Sequence, residues 1–171
     1  MILGKDIFLS QDFLKPNRLT KGGFLSITPN YVPREYKTLN VMLVVHDAHR
    51  ALKFYNNAFG AEITMKLEDP SGVIVHAEMR IEDTIFMIVQ DTQIPKRDNG
   101  IILQLYTGDV EGMFESAIEA GAEEVYPIKE QFYGDRAGRI KDPFGHQWII
   151  ATHMEDVSSR ELQKRFNELY P

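Results

Sequence analysis

His76, Glu78 and Arg80 stand at alternate positions in the run from Val73 to Ile81. Alternate residues of an extended strand share a face, so this run sets an imidazole, a carboxylate and a guanidinium side by side. Neighbouring opposite charges shift an imidazole pKa, which general acid–base work requires. The same triplet could hold a polar ligand, or form ion pairs on a solvated strand face, where they add little stability. The intervening Val73, Val75, Ala77, Met79 and Ile81 give the other face a wholly apolar character. A second group, Tyr133, Asp135 and Arg136, reads as part of a glycine-containing loop. There an aromatic ring and a guanidinium could gate a cavity and bind a carboxylate or phosphate oxygen. The competing reading is structural, an Asp135–Arg139 or Arg136–Asp142 pair that shapes the turn. His146 and His153 flank an apolar run and read as structural hydrogen bonders. His46 and His49 read as exposed residues at a helix start.

Other chemistries lack their residues. The chain of 171 residues has no cysteine, which removes disulfides, thiolate metal sites and a cysteine nucleophile. It has no phosphate-cradling glycine loop and no G-x-S-x-G elbow. Its formal net charge is −6 without a Lys/Arg run, so no nucleic-acid partner is expected. Hydrophobic content of 43% and charged content of 26% are those of an ordinary globular domain. The first residues, MILGKDIFLSQDF, do not read as a signal peptide, and no apolar run approaches a bilayer span. A cytoplasmic location without membrane contact is the expectation.

The elements that would position these residues repeat. Residues 1–36, broken by prolines and glycines, read as an N-terminal arm. From Leu39 to Val45 the chain reads as a strand buried on both faces. Asp47 then caps a helix with the apolar stripe Ala51, Leu52, Phe54, Tyr55, Ala58 and Phe59, closed by Gly60. Strands are expected near 61–67, 73–81 and 84–90. The order recurs: a strand at 101–106, a helix capped by Asp109 and ending at Gly121, then strands near 123–128, 138–141 and 146–152. Both halves read β-α-β-β-β, as in an internally duplicated domain with modules at about 37–92 and 99–157. Residues 158–171 read as a closing helix with Ser158 or Ser159 as its N-cap.

The segments Tyr36–Val45, Ala51–Tyr55 with Phe59-Gly60-Ala61-Glu62, His76–Ile81, and above all Phe132–Val157 with its Asp142-Pro-Phe-Gly-His146 turn, resemble the vicinal oxygen chelate superfamily. This superfamily comprises glyoxalase I, bleomycin- and fosfomycin-resistance proteins and extradiol dioxygenases. The nearest resemblance is to the PhnB-like branch. It covers residues 37–157 and implies an α+β fold in which two βαβββ modules form a cupped mixed sheet, concave side open and helices outside. It also implies a homodimer, in some members with exchanged elements. Metal-dependent members hold a divalent ion at the first and last strand of each module. Those positions fall on Asn40, Met87, Ile102 and Ile149 here. Asn is a weak neutral donor, and Met and Ile do not serve a hard or borderline cation, so no metal or other cofactor is expected. A non-standard site from His76, Glu78 and a further His is the minor alternative.

In the implied cup, Asn40, Met42, Met87, Gln104, Tyr106, Gln147 and Ile149 share the concave parity with His76, Glu78 and Arg80. Together they make the mixed polar–apolar lining typical of small-molecule pockets; singly, the Met and Ile members read equally well as core. Tyr133 and Arg136 join the candidate ligand-binding set at the mouth. The function expected is metal-free small-molecule binding, possible sequestration of a compound within a dimeric cup. One alternative is a lyase, isomerase or transferase acting on a small oxygen-rich substrate. It would use His76 or Glu78 as base and Arg80 or Tyr106 to hold an oxyanion. Another is a non-catalytic dimerisation module whose cavity is filled by core side chains.

Overall fold

The structure, a computed structural model, describes residues 31–33, 35–93 and 100–169. The N-terminal arm expected over 1–36 lies almost wholly outside these residues. Val32–Pro171 form one compact unit. Its elements are β1 (Val41–Val45), α1 (Ala48–Phe59), β2 (Glu62–Glu68), β3 (Ile74–Ile81), β4 (Thr84–Gln90), β5 (Ile102–Tyr106), α2 (Val110–Glu119), β6 (Glu123–Glu130), β7 (Asp135–Lys141), β8 (Gln147–His153) and α3 (Ser159–Leu169).

The duplication is plain in the topology. One sheet has the order β1-β4-β3-β2 and the other β5-β8-β7-β6. In each, the first strand pairs parallel with the last and the remaining pairs are antiparallel. The fold is therefore α+β with two βαβββ modules, each keeping its own four-stranded mixed sheet. Local chemistry sets the helices. Asp47 accepts the N–H of Arg50, and Gly60 takes the left-handed conformation at φ 65° that ends α1. Asp109 repeats the cap on Gly112. Ser158 caps α3 through the N–H of Glu161.

A single apolar core joins the modules, drawing Leu43, Phe54, Tyr55, Phe59 and Phe86 from the first and Phe114, Ile140, Trp148 and Ile150 from the second. The Phe59 and Trp148 rings lie 4.8 Å apart. At the centre sits Asp142, 4% exposed. Its Oδ2 accepts the Tyr55 hydroxyl at 2.7 Å and the Trp148 indole N–H at 3.0 Å. Its Oδ1 accepts the backbone N–H groups of Phe144 and His146 at 2.9 Å each. Burial opposes its ionisation, but His146, Trp148 and Tyr55 outweigh that and hold its pKa below the usual carboxylate value. Tyr55 is pushed well above the usual phenol value by burial and by Asp142.

Several expectations change. β1 starts at Val41 rather than Leu39. It is not buried on both faces: only Leu43 and Val45 are buried, and Met42 is 51% exposed. On β3 the register against β2 shifts between Leu67↔His76 and Glu68↔Ile74. The irregularity turns Ile74 into the core and leaves Val73 and Val75 exposed, so these valines do not share the buried face of Ala77, Met79 and Ile81. His46 is half-buried and packs 5.6 Å from the Phe144 ring. β7 begins at Asp135, so Asp135 and Arg136 belong to a strand and not to a loop.

Candidate functional site

The sheets turn their apolar side to the helices and the opposite side outward. On that open side, strand register aligns one four-residue row in each module. In the first sheet Met42 pairs with Met87, Met87 with Glu78, and Glu78 with Met65. In the second, Gln104 pairs with Ile149, Ile149 with Arg139, and Arg139 with Tyr126. The two rows occupy equivalent places in the duplicated topology. A carboxylate in one corresponds to a guanidinium in the other.

The first-module candidates gather around Glu78. His76 Nε2 lies 3.8 Å from Glu78 Oε1, with side-chain exposures of 23% and 14%. Tyr36, just before β1, donates its hydroxyl to Glu78. Burial and the adjoining carboxylate push the Tyr36 pKa up to about 12, so its proton stays in place near neutrality. Arg80 pairs with Glu35 rather than with Glu78. Segment 35–36 thus covers this end of β3, which sequence periodicity had no means of indicating. Asn40 is spent on a turn: its Oδ1 accepts the N–H of Lys37 at 3.0 Å and its amide donates to the Lys37 carbonyl at 2.6 Å. It precedes β1 and is not a strand-borne ligand.

The second-module candidates divide. Gln104 donates to the Tyr106 hydroxyl at 2.9 Å, and Tyr106 donates to Asp135 at 2.8 Å. Asp135 also meets His153 Nδ1 at 2.8 Å, while His153 Nε2 meets Asp156 at 3.1 Å. Asp135 and Asp156 raise the His153 pKa, and Asp135 raises that of Tyr106. His153 is therefore a hydrogen-bonding bridge between strand and tail, as its position suggested. Arg136 points to the helix side and pairs with Glu111 of α2. Neither the Asp135–Arg139 pair nor the Arg136–Asp142 pair forms.

Two hollows accompany these groups. One, of about 640 Å³, lies at the seam between the modules, with Phe59 and Ile81 on one side and Tyr106, Met113 and His153 on the other. The other, of about 310 Å³, lies on the open side of the second sheet and contains Tyr126, Lys129, Gln131, Tyr133, Arg139 and Ile149. Of the expected set, only Tyr133 and Ile149 line it. Burial, then the nearby Asp135, raises the Tyr133 pKa. Arg139 is the residue that sequence reasoning missed as a site residue. Its guanidinium carbon stands 5.7 Å from the Tyr126 ring centroid, and its buried Nε has no hydrogen-bond partner among the described residues. Gln147 Oε1 is likewise buried and unpartnered. The signal was available: Arg139 has the same strand parity as Ile149, its paired neighbour.

The donor set at the superfamily's metal positions does not fit a divalent ion. Met87 and Ile149 present thioether and hydrocarbon, Ile102 presents hydrocarbon, and Asn40 is engaged with Lys37. Among the described residues, no three His, Cys, Asp or Glu side chains of one chain converge as a metal site, and no helix is long and apolar enough to cross a membrane.

Comparison with known proteins agrees with this architecture. An uncharacterised protein of Mycobacterium bovis is 32% identical over 137 residues, covering 73% of this chain and 89% of that protein. The crystal structure of an Arabidopsis thaliana gene product has a TM-score of 0.54 and 26% identity, covering 68% of this chain and 98% of that one. A Bacillus cereus PhnB protein has a TM-score of 0.56 at 16% identity, covering 68% and 99%; at that identity it speaks for the fold alone. The model of the Glyoxalase/Bleomycin resistance protein/Dioxygenase superfamily matches residues 37–150, and the chain belongs to that superfamily.

Proposed function

We propose that this protein is a metal-free small-molecule binding protein of the glyoxalase/bleomycin-resistance type, in the PhnB-like branch, acting as a cytoplasmic homodimer. The observation that carries the reading is the pair of open-side rows. Of the scaffold's four metal positions, where His and Glu would stand, Met87 and Ile149 lie within those rows, and Asn40 and Ile102 hold the other two. Such side chains offer apolar contact and one amide, a lining suited to binding organic matter and not to polarising it through a Lewis acid. The dimer is supported by the open apolar groups Met42, Ile102, Tyr106 and Tyr126, all more than two-fifths exposed, which a second copy could cover. Elemental analysis of protein purified without chelator tests the reading. Less than a tenth of an equivalent of any divalent metal is expected, and a stoichiometric ion overturns it.

A second reading, catalysis, is favoured by one observation. His76 and Glu78 are partly buried and adjacent, and Tyr36 anchors Glu78, so a positioned base is on hand for a small oxygen-rich substrate. Turnover that vanishes in both His76→Ala and Glu78→Gln would establish this reading over simple binding.

A further inference from the structure

We propose that the 310 Å³ hollow on the second sheet is a subsite for a planar organic anion, an aromatic carboxylate of one or two rings, received by Arg139. The inference rests on the small-molecule binding reading above and adds the chemical class of the ligand.

The starting point is a cation without a counter-ion. Arginine does not shed its proton in proteins, and a desolvated, unpaired charge is costly. The other partly buried arginines obey that rule: Arg80 holds Glu35, Arg136 holds Glu111, and Arg165 holds Glu155 and Glu161. Arg139 has no ion-pair partner among the described residues, and its Nε–H is buried without an acceptor. A buried donor left unmet marks a place where something is missing.

The surroundings say what kind of partner fits. The hollow's lining includes a second cation, Lys129, and no carboxylate, on a chain whose net charge is −6. Positive charge is therefore concentrated locally against the overall balance. The remaining walls are flat or apolar: the Tyr126 and Tyr133 rings, Pro127 and Ile149. The cation–π contact with Tyr126 holds the guanidinium in place before a ligand arrives, which lowers the ordering cost of binding. The two Nη groups of the Arg139 guanidinium, which make no hydrogen bond among the described residues, match the two oxygens of a carboxylate in a bidentate pair. The volume is at the small end of the range for ligand pockets, about 300–1,000 Å³, so the occupant is compact.

The test is isothermal titration calorimetry of the full chain with 2-naphthoate and its neutral isostere 2-naphthamide. Naphthoate is expected to bind saturably and at least tenfold more tightly than naphthamide. Arg139→Met should bring naphthoate down to the naphthamide level and leave naphthamide unchanged. Arg139→Lys, which keeps the charge but loses the fork, should fall between. The melting temperature of Arg139→Met should equal or exceed that of the wild type, because the substitution removes an unmet donor. Equal affinities for the two compounds, unaltered naphthoate binding in Arg139→Met, or no naphthoate binding overturns the proposal. Should Arg139→Met fail to fold, Arg139→Lys and the naphthoate–naphthamide comparison decide. The two readings fail separately: neutral compounds bound without dependence on Arg139 leave the binder standing and remove the anion subsite, whereas a stoichiometric metal removes the metal-free reading and leaves the calorimetric comparison intact.

Discussion

Asp142 is the residue on which the most buried groups depend, since four donors converge on its two oxygens. Asp142→Asn leaves at least one buried donor without an acceptor and should cost on the order of 3 kcal/mol in urea unfolding. Tyr55→Phe removes only one of the donors and should cost about 1 kcal/mol. Because the folded pKa of Asp142 is depressed, its contribution is complete above the usual carboxylate value and is lost as pH falls through the folded one. Asp142→Asn should therefore flatten the acid limb of a plot of melting temperature against pH. His153 has the opposite sign. Its pKa is raised by Asp135 and Asp156, so its contribution is complete below the usual imidazole value of about 6.5 and fades as pH rises through the raised one. In His153→Asn, the decline in melting temperature between neutral and alkaline pH should shrink; an unchanged slope would refute the bridge. His153 was legible as structural from its place beside the last strand, but its partners were not, because Asp135 reads as a loop residue in sequence.

At the scale of elements, the helices were the most legible because their signals are local. Asp47, Gly60 and Asp109 each act within one turn of the chain. Strand faces were less so. The irregularity near Val75 exchanges one apolar residue for another, Ile74 for Val75, so hydrophobic pattern cannot betray it. β7 was cut short in sequence because Gly134, Asp135 and Arg136 look like turn chemistry. Gly138 shows what β7 requires of its neighbours: a Cβ there would sit 2.6 Å from the Phe114 ring and 2.9 Å from Ile128. Only a bare backbone lets α2 lie this close to the sheet. Gly138→Ala should destabilise by about 1–3 kcal/mol through overpacking, read as a lower denaturant midpoint at unchanged slope. α3 is anchored differently. Arg165 makes a two-pronged pair with Glu155 at 2.8 and 2.9 Å, while Phe166 meets Phe132 at 5.7 Å. Its apolar stripe of Leu162, Phe166 and Leu169 has no fully buried member.

For the whole molecule, the homodimer proposed above predicts a sedimenting mass near twice the 19.7 kDa of the chain. Ile102→Asp, which places a charge on the open side, should shift that mass toward the monomer; a wild type that sediments as a single chain at micromolar concentration counts against the dimer. The duplicated architecture also has a one-way connection. Asp142 reaches from the second module to Tyr55 of the first. The residue at the same step after the second helix cap is Ala117, which has no hydroxyl to return the bond, and Asp83 in the corresponding first-module turn accepts from its neighbour Thr84. The halves are thus no longer interchangeable copies. A gene encoding two first modules would supply Tyr55 without its acceptor, and one encoding two second modules would supply Asp142 without its phenol. Whatever ancestor once paired identical units, this descendant is committed to carrying both, and split halves should regain structure only when the two different fragments are produced together.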